Sequence, residues 1–307
     1  MAVGTLELLA PAKINLFLSI KGKRRDGYHE LETVMQKIDL VDRLTLRKID
    51  RGISLHCTQG KNGVVKAERV PEDETNLAYR AAGAFFSEAG FEGGVEIFLE
   101  KNIPVAAGLG GGSSDAAAVI RGLNSLFPGA VSRERLLKIA GNLGADIPFF
   151  LDESPAAFAC GIGDVLHPIK SLTGCCIVLV NPGFPVSTKW VYDNFALTSG
   201  DNPYTLGAGF SPKDLDCCLD MAADLAGHAV QQFFNDLERV TQEKYSEIGQ
   251  CKQQLLKDCA EVALMSGSGP TIFGIFSDLQ KARESFAGFK KKYSDVFFCR
   301  SFAFTSF

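Results

Sequence analysis

The stretch that most constrains this 307-residue chain is Pro104-Val105-Ala106-Ala107-Gly108-Leu109-Gly110-Gly111-Gly112-Ser113-Ser114-Asp115, set directly ahead of an amphipathic segment. Four glycines in five positions exceed what a simple turn requires. Glycine lets consecutive backbone N–H groups converge on one centre and lets an anion come close. The free N–H groups and dipole of a following helix add a preference for negative charge. A polyphosphate cradle at a helix N-terminus is therefore expected. No Lys follows the glycines, which excludes the G-x-x-x-x-G-K-[ST] loop. Ser113 stands where G-x-G-x-x-G needs its third glycine, so a dinucleotide site fits poorly.

Periodicity places the loop among strands and helices. Residues 13–20 alternate as a strand, with Ile14, Leu16, Leu18 and Ile20 towards a core and Lys13, Asn15, Phe17 and Ser19 on the other face. Turn formers at 21–27 predict a hairpin with Tyr28 and His29 just past its tip. Further strands are expected at 44–46, 53–55, 95–100, 175–180 and 271–276. Helices are expected from Thr75 or Asn76 to Gly90, from Ser113 to Leu126 with Ser113 or Ser114 as N-cap, and from Ser132 to Gly144. Asp146 then falls in a turn before Pro148. Later helices are expected from Ser211-Pro212, over 246–256 and over 279–289. The domain boundary is set near residue 160, giving an N-terminal domain 1–160 and a C-terminal domain 161–307, although no linker composition marks it.

Composition removes several function classes. Thirty-two Lys and Arg against 36 Asp and Glu leave a net charge of −4, so no general attraction for nucleic acid is expected. The cluster Lys21, Lys23, Arg24 and Arg25 reads as a solvated hairpin tip. Nine cysteines without a C-x-x-C pair suggest reduced thiols, and His56, His167 and His228 stand without spaced ligands. With no leader-like start and no run of ~18 apolar residues, the expectation is a cytoplasmic protein without a membrane partner.

Pro11-Ala12-Lys13-Ile14-Asn15-Leu16, the glycine loop, Gly144-Ala145-Asp146-Ile147-Pro148-Phe149 and Ser266-Gly267-Ser268-Gly269-Pro270 together resemble the GHMP small-molecule kinases. Gly22-Lys23-Arg24-Arg25-Asp26-Gly27-Tyr28-His29-Glu30-Leu31 is similar to the signature of the branch whose acceptor alcohol carries a cytidine diphosphate. The resemblance implies an α+β, two-lobed GHMP-kinase fold: an N-terminal nucleotide-binding lobe and a ferredoxin-like C-terminal lobe. It implies ATP and Mg²⁺ as cofactors and a small-molecule acceptor, on a monomer or weak homodimer. Residues 104–114 and Asn76 would bind ATP, and Ser114 would contact Mg²⁺. Asp146 would be the general base and Lys13 its electrostatic partner. Asn15, Tyr28, His29, Thr188 and Tyr192 would hold the acceptor, with Trp190 an alternative to Tyr192 for stacking on the base. Taken singly, Asp146 also reads as an Asx turn, Lys13 as a strand-edge charge, Asn76 as a plain helix cap and 266–270 as a tight interstrand turn. A GHMP kinase for mevalonate or homoserine, or a non-catalytic ligand sensor, remain the competing readings.

Overall fold

Two long strands organise the chain: β1 (Thr5–Lys23) and β2 (His29–Ile49) run for 19 and 21 residues, several times the usual strand length. The computed structural model describes residues 4–60, 70–195 and 233–302, so the helix expected from Ser211-Pro212, like Cys217, Cys218 and His228, lies outside the described residues. The chain packs into two compact units, and both long strands contribute to each. The first comprises Met1–Ala12, Leu40–Val105 and Gly110–Glu153; the second comprises Lys13–Asp39, Ala106–Leu109 and Ser154–Phe307.

In the first unit, β3 (Gly52–Gln59) pairs in parallel with β4 (Gly94–Lys101), and β4 pairs antiparallel with the end of β2, from Arg43↔Glu100 to Ile49↔Gly94. Val95, Ile97 and Leu99 point inward at period two, and Phe98 on the opposite face is 41% exposed. Helices α1 (Leu77–Ala89), α2 (Gly111–Leu126), α3 (Arg133–Leu143) and α4 (Ile147–Leu151) belong to this unit, with Phe85, Val119, Ile120 and Leu123 fully buried. α1 begins and ends where its capping residues predict: Asn76 accepts from the Ala78 N–H, and Gly90 closes the helix in the left-handed region.

In the second unit, β5 (Ala156–Cys160) pairs with β2 and with β6 (Val165–Ile169), and the short β8 (Phe234–Asn235) adds to β1 in parallel. A separate antiparallel sheet has the order β11 (Asp295–Cys299), β7 (Cys176–Asn181), β10 (Ile272–Phe276), β9 (Val262–Met265). Helices α6 (Asp236–Lys244) and α7 (Ser246–Lys257) precede β9, and α8 (Leu279–Lys290) joins β10 to β11. This β-α-β-β-α-β order is the ferredoxin-like arrangement implied above.

One local expectation is corrected, and two stretches gain detail. Residues 13–20 alternate as expected but are covered on both faces: every residue from Ala10 to Ile20 is buried, so Lys13 and Asn15 lie inside the protein. Neither Ser113 nor Ser114 caps α2. The helix begins at Gly111, because Gly110 at φ +70° turns the chain without a side-chain cap and leaves both serines inside the first turn. The stretch around Tyr192 is the helix α5 (Thr188–Asn194), opened by Ser187, whose hydroxyl accepts from the Trp190 N–H.

Candidate active site

Lys13 is 5% exposed, and its Nζ donates to Asn15 Oδ1 at 2.6 Å. Asn15 Nδ2 donates to Thr33 Oγ1 at 2.9 Å, and that hydroxyl donates to the Phe17 carbonyl at 2.6 Å. This relay fixes the orientation of the amide. A buried ammonium costs too much to be a solubility charge, so Lys13 is a committed part of the interior. Its own N–H bonds the Leu109 carbonyl at 2.9 Å, which brings the turn Ala106–Leu109 against β1.

That turn adopts positive φ at Ala106 (+52°) and Gly108 (+77°). A Cβ at Gly108 would overlap the Ser266 carbonyl oxygen and lie 3.1 Å from that of Gly269. Ser266 Oγ donates to the Gly108 carbonyl at 2.9 Å, and the Thr271 N–H to the Ala107 carbonyl at 3.3 Å. A Cβ at Gly267 would stand 3.3 Å from Asn15 Oδ1. Asn235 Nδ2 bonds the Met265 and Gly267 carbonyls at 2.8 and 2.7 Å, fixing the turn from beneath. Residues 266–270 are therefore an interstrand turn that also packs on the glycine loop.

Of the acceptor candidates in this unit, His29 and Tyr192 meet. The rings of His29 and Tyr192 lie 5.2 Å apart at 37°, and Thr188 Oγ1 is 2.8 Å from Ser268 Oγ. Burial, with the Lys23 charge, lowers the His29 pKa, which favours the neutral imidazole. Tyr28 is 60% exposed. Lys244 Nζ sits 4.0 Å over the Trp190 ring, so one face of that indole is already occupied by a cation. At the hairpin tip, Arg24 pairs with Asp26 and Glu30, and Lys21 with Glu32, as a solvated charge cluster should.

Asn76, Asp146, Ser113 and Ser114 belong to the first unit. The Asn76 side chain caps α1 through its oxygen, and its Nδ2 donates to the Pro71 carbonyl at 2.8 Å. Asp146 immediately precedes α4, with Pro148 in the first turn. The Ser114 hydroxyl is buried without a hydrogen-bond partner, whereas Ser113 is part-exposed. Among the described residues no group of three or more His, Cys, Asp or Glu is placed to hold a metal ion.

One residue beside the loop went unread in the sequence. Lys101, 4% exposed, ends β4 and pairs with both Asp42 and Asp115. Burial alone lowers its pKa, but the two carboxylates outweigh it and hold the ammonium above the usual lysine range. Burial raises Asp115, against the lowering pull of Lys101. Its only sequence signal was a Lys ending an apolar strand three residues before Pro104.

The described cysteines are free thiols. Burial holds Cys57 up at about 11 and Cys175 at about 12, so neither offers a thiolate near neutral pH. A cavity of about 610 Å³ between α7 and α8, lined in part by Gln254, Lys281 and Tyr293, contains none of the candidate residues. Among the described residues no helix is long and apolar enough to cross a membrane.

The family model described as GHMP kinases N terminal domain matches residues 76–153, and that described as GHMP kinases C terminal matches residues 218–295. Fold, glycine loop and matches together define the class, a GHMP kinase. The chain is 46% identical over 279 residues to the 4-diphosphocytidyl-2-C-methyl-D-erythritol kinase of Geobacter metallireducens, covering 91% of this chain and 92% of the relative. A crystal structure of 4-(cytidine 5'-diphospho)-2C-methyl-D-erythritol kinase, 35% identical, matches with a TM-score of 0.75 over 96% of this chain and 98% of that one. Homoserine kinase from Cytophaga hutchinsonii, at 19% identity and a TM-score of 0.71 over 98% and 96% of the two chains, shares the fold. The chain belongs to the 4-diphosphocytidyl-2-C-methyl-D-erythritol kinase family.

Proposed function

We propose that this chain phosphorylates the 2-hydroxyl of 4-(cytidine 5'-diphospho)-2-C-methyl-D-erythritol with ATP, a step of the non-mevalonate route to isoprenoid precursors. Relatives named for that substrate support the reading over most of the chain. The observation that carries the acceptor choice is the His29–Tyr192 ring pair beside Tyr28. An aromatic face and a neutral imidazole suit a nucleobase, and a kinase for mevalonate or homoserine has no use for them.

In this reading the acceptor oxygen attacks the γ-phosphorus, the bond to the β,γ-bridging oxygen breaks, and ADP leaves. Asp146 accepts the hydroxyl proton. The Lys13 ammonium, oriented by Asn15, offsets negative charge as it develops. Mg²⁺ bound to the ATP phosphates would offset charge on the transferring phosphoryl, with Ser114 as its expected protein contact.

ADP release is measured with the cytidine diphosphate alcohol, mevalonate and homoserine as acceptors. Turnover with the first alone is expected, and turnover only with another acceptor overturns the assignment. Asp146→Asn is expected to lower kcat by ~10²–10⁴-fold while CMP affinity stays within about twofold, as loss of a general base requires. Retained turnover removes Asp146 from the base role.

A further inference from the structure

The glycines explain how the loop can bend, but not what holds the first turn of α2 in one direction. An anion site made of backbone N–H groups depends on where those groups point, and α2 has no side-chain cap to orient it. The first unit supplies a fixture at this place. Lys101 Nζ pairs with Asp115 Oδ2 at 2.7 Å and with Asp42 Oδ2. Asp42 Oδ1 accepts the N–H groups of Asn102 at 2.6 Å and Ile103 at 2.9 Å. A single ammonium therefore joins β2, the end of β4 and the first turns of α2. A Cβ at Gly111 would lie 3.3 Å from Lys101 Nζ and 2.9 Å from Ile103 Cγ2, so the charged head sits directly under the first residue of the helix.

A buried ion triad is a weak source of stability, since apolar residues of the same volume often do as well. What the charges add is a defined register. Lys101 also offsets the Asp115 carboxylate, which would otherwise set a buried negative charge near bound polyphosphate. We infer that Lys101 is a positioning residue for ATP: through Asp115 and Asp42 it fixes the first turn of α2 so that its N–H groups face the phosphates. The inference rests on the ATP-dependent reading above.

Wild-type turnover is measured first, since its absence overturns that reading and this inference with it. Lys101→Met is then compared with Asp115→Asn and with the double variant K101M/D115N. Lys101→Met is expected to raise the KM for ATP about tenfold, the loss of one or two charge-assisted contacts, with CMP affinity and kcat at saturating ATP little changed. Asp115→Asn keeps an acceptor oxygen for Lys101 and should remain near wild type. In K101M/D115N one of the two carboxylates left without the ammonium is gone, and Asp42 keeps two main-chain N–H donors, so the melting temperature recovers in part while the raised KM persists. Recovery of KM together with stability, or a parallel loss of ATP and CMP binding, would mean a merely structural role and overturn the inference. An unchanged KM in Lys101→Met does the same. If that single variant does not fold, the double variant decides.

Discussion

The two glycine turns share a backbone habit and differ in the element into which each one leads. Gly108 and Gly110 have φ of +77° and +70°, and Gly267 and Gly269 have +55° and +85°. The first turn opens into α2, whose early N–H groups have no partner within the helix. The second is closed by its own main chain: the Ser266 N–H bonds the Thr271 carbonyl and the Gly269 N–H bonds the Ser266 carbonyl, both at 2.9 Å. Glycine count therefore does not separate an anion cradle from a buttress. The secondary structure entered next does, a helix after Gly110 and a strand after Pro270.

The comparison breaks most severely at Gly108. Gly108→Ala meets rigid backbone at Ser266 and Gly269 and also a left-handed φ, so a loss of at least ~2 kcal/mol is expected together with loss of ATP binding. Gly269→Ala has similar backbone strain, but its Cβ meets the flexible Met265 side chain, so a loss of ~1–2 kcal/mol with weaker effect on ATP is expected. Equal effects of the two in denaturant titration and ATP binding would dissolve the distinction. Ser266→Ala removes the bond to Gly108 and should cost ~1 kcal/mol, read as a lower urea midpoint.

The smallest expected effect comes from His29, on β2 outside both turns. Its pKa is lowered in the folded state, so on acidification the unfolded chain takes up the proton first. Stability should be level above about pH 6.5 and fall below it. His29→Gln should flatten that slope, and an unchanged slope in urea titrations at several pH values would dismiss His29 as its source.

Much of this was legible in the chain. Asn76, Gly90, Ser132 and Gly144 mark helix ends through their own capping chemistry, so α1 and α3 begin and end near the expected residues. The alternation of β1 put Lys13 and Asn15 on one face, but their burial was not legible, because alternation shows which residues share a face and not whether that face stays wet. Here further chain covers Lys13 and Asn15. The start of α2 was misplaced because a serine rule competes poorly with a left-handed glycine. Thr188 and Tyr192 came from a family pattern without a local signal, and α5 was missed because its seven residues are too few for a clear period. Lys101 was invisible for a different reason: its meaning lies in Asp42, 59 positions earlier, and no local pattern carries that.

The pairing of β8 with β1 has a consequence for biogenesis. Phe17 and Leu18 find their neighbours Phe234 and Asn235 only after more than two hundred further residues have been made, and Asp39 likewise receives the Arg300 N–H. An emerging polypeptide must therefore carry an apolar, half-finished edge through most of its synthesis. Such distant closures make maturation slow and expose the nascent chain to self-association. Truncation near the C-terminus would thus be felt on β2, at Asp39.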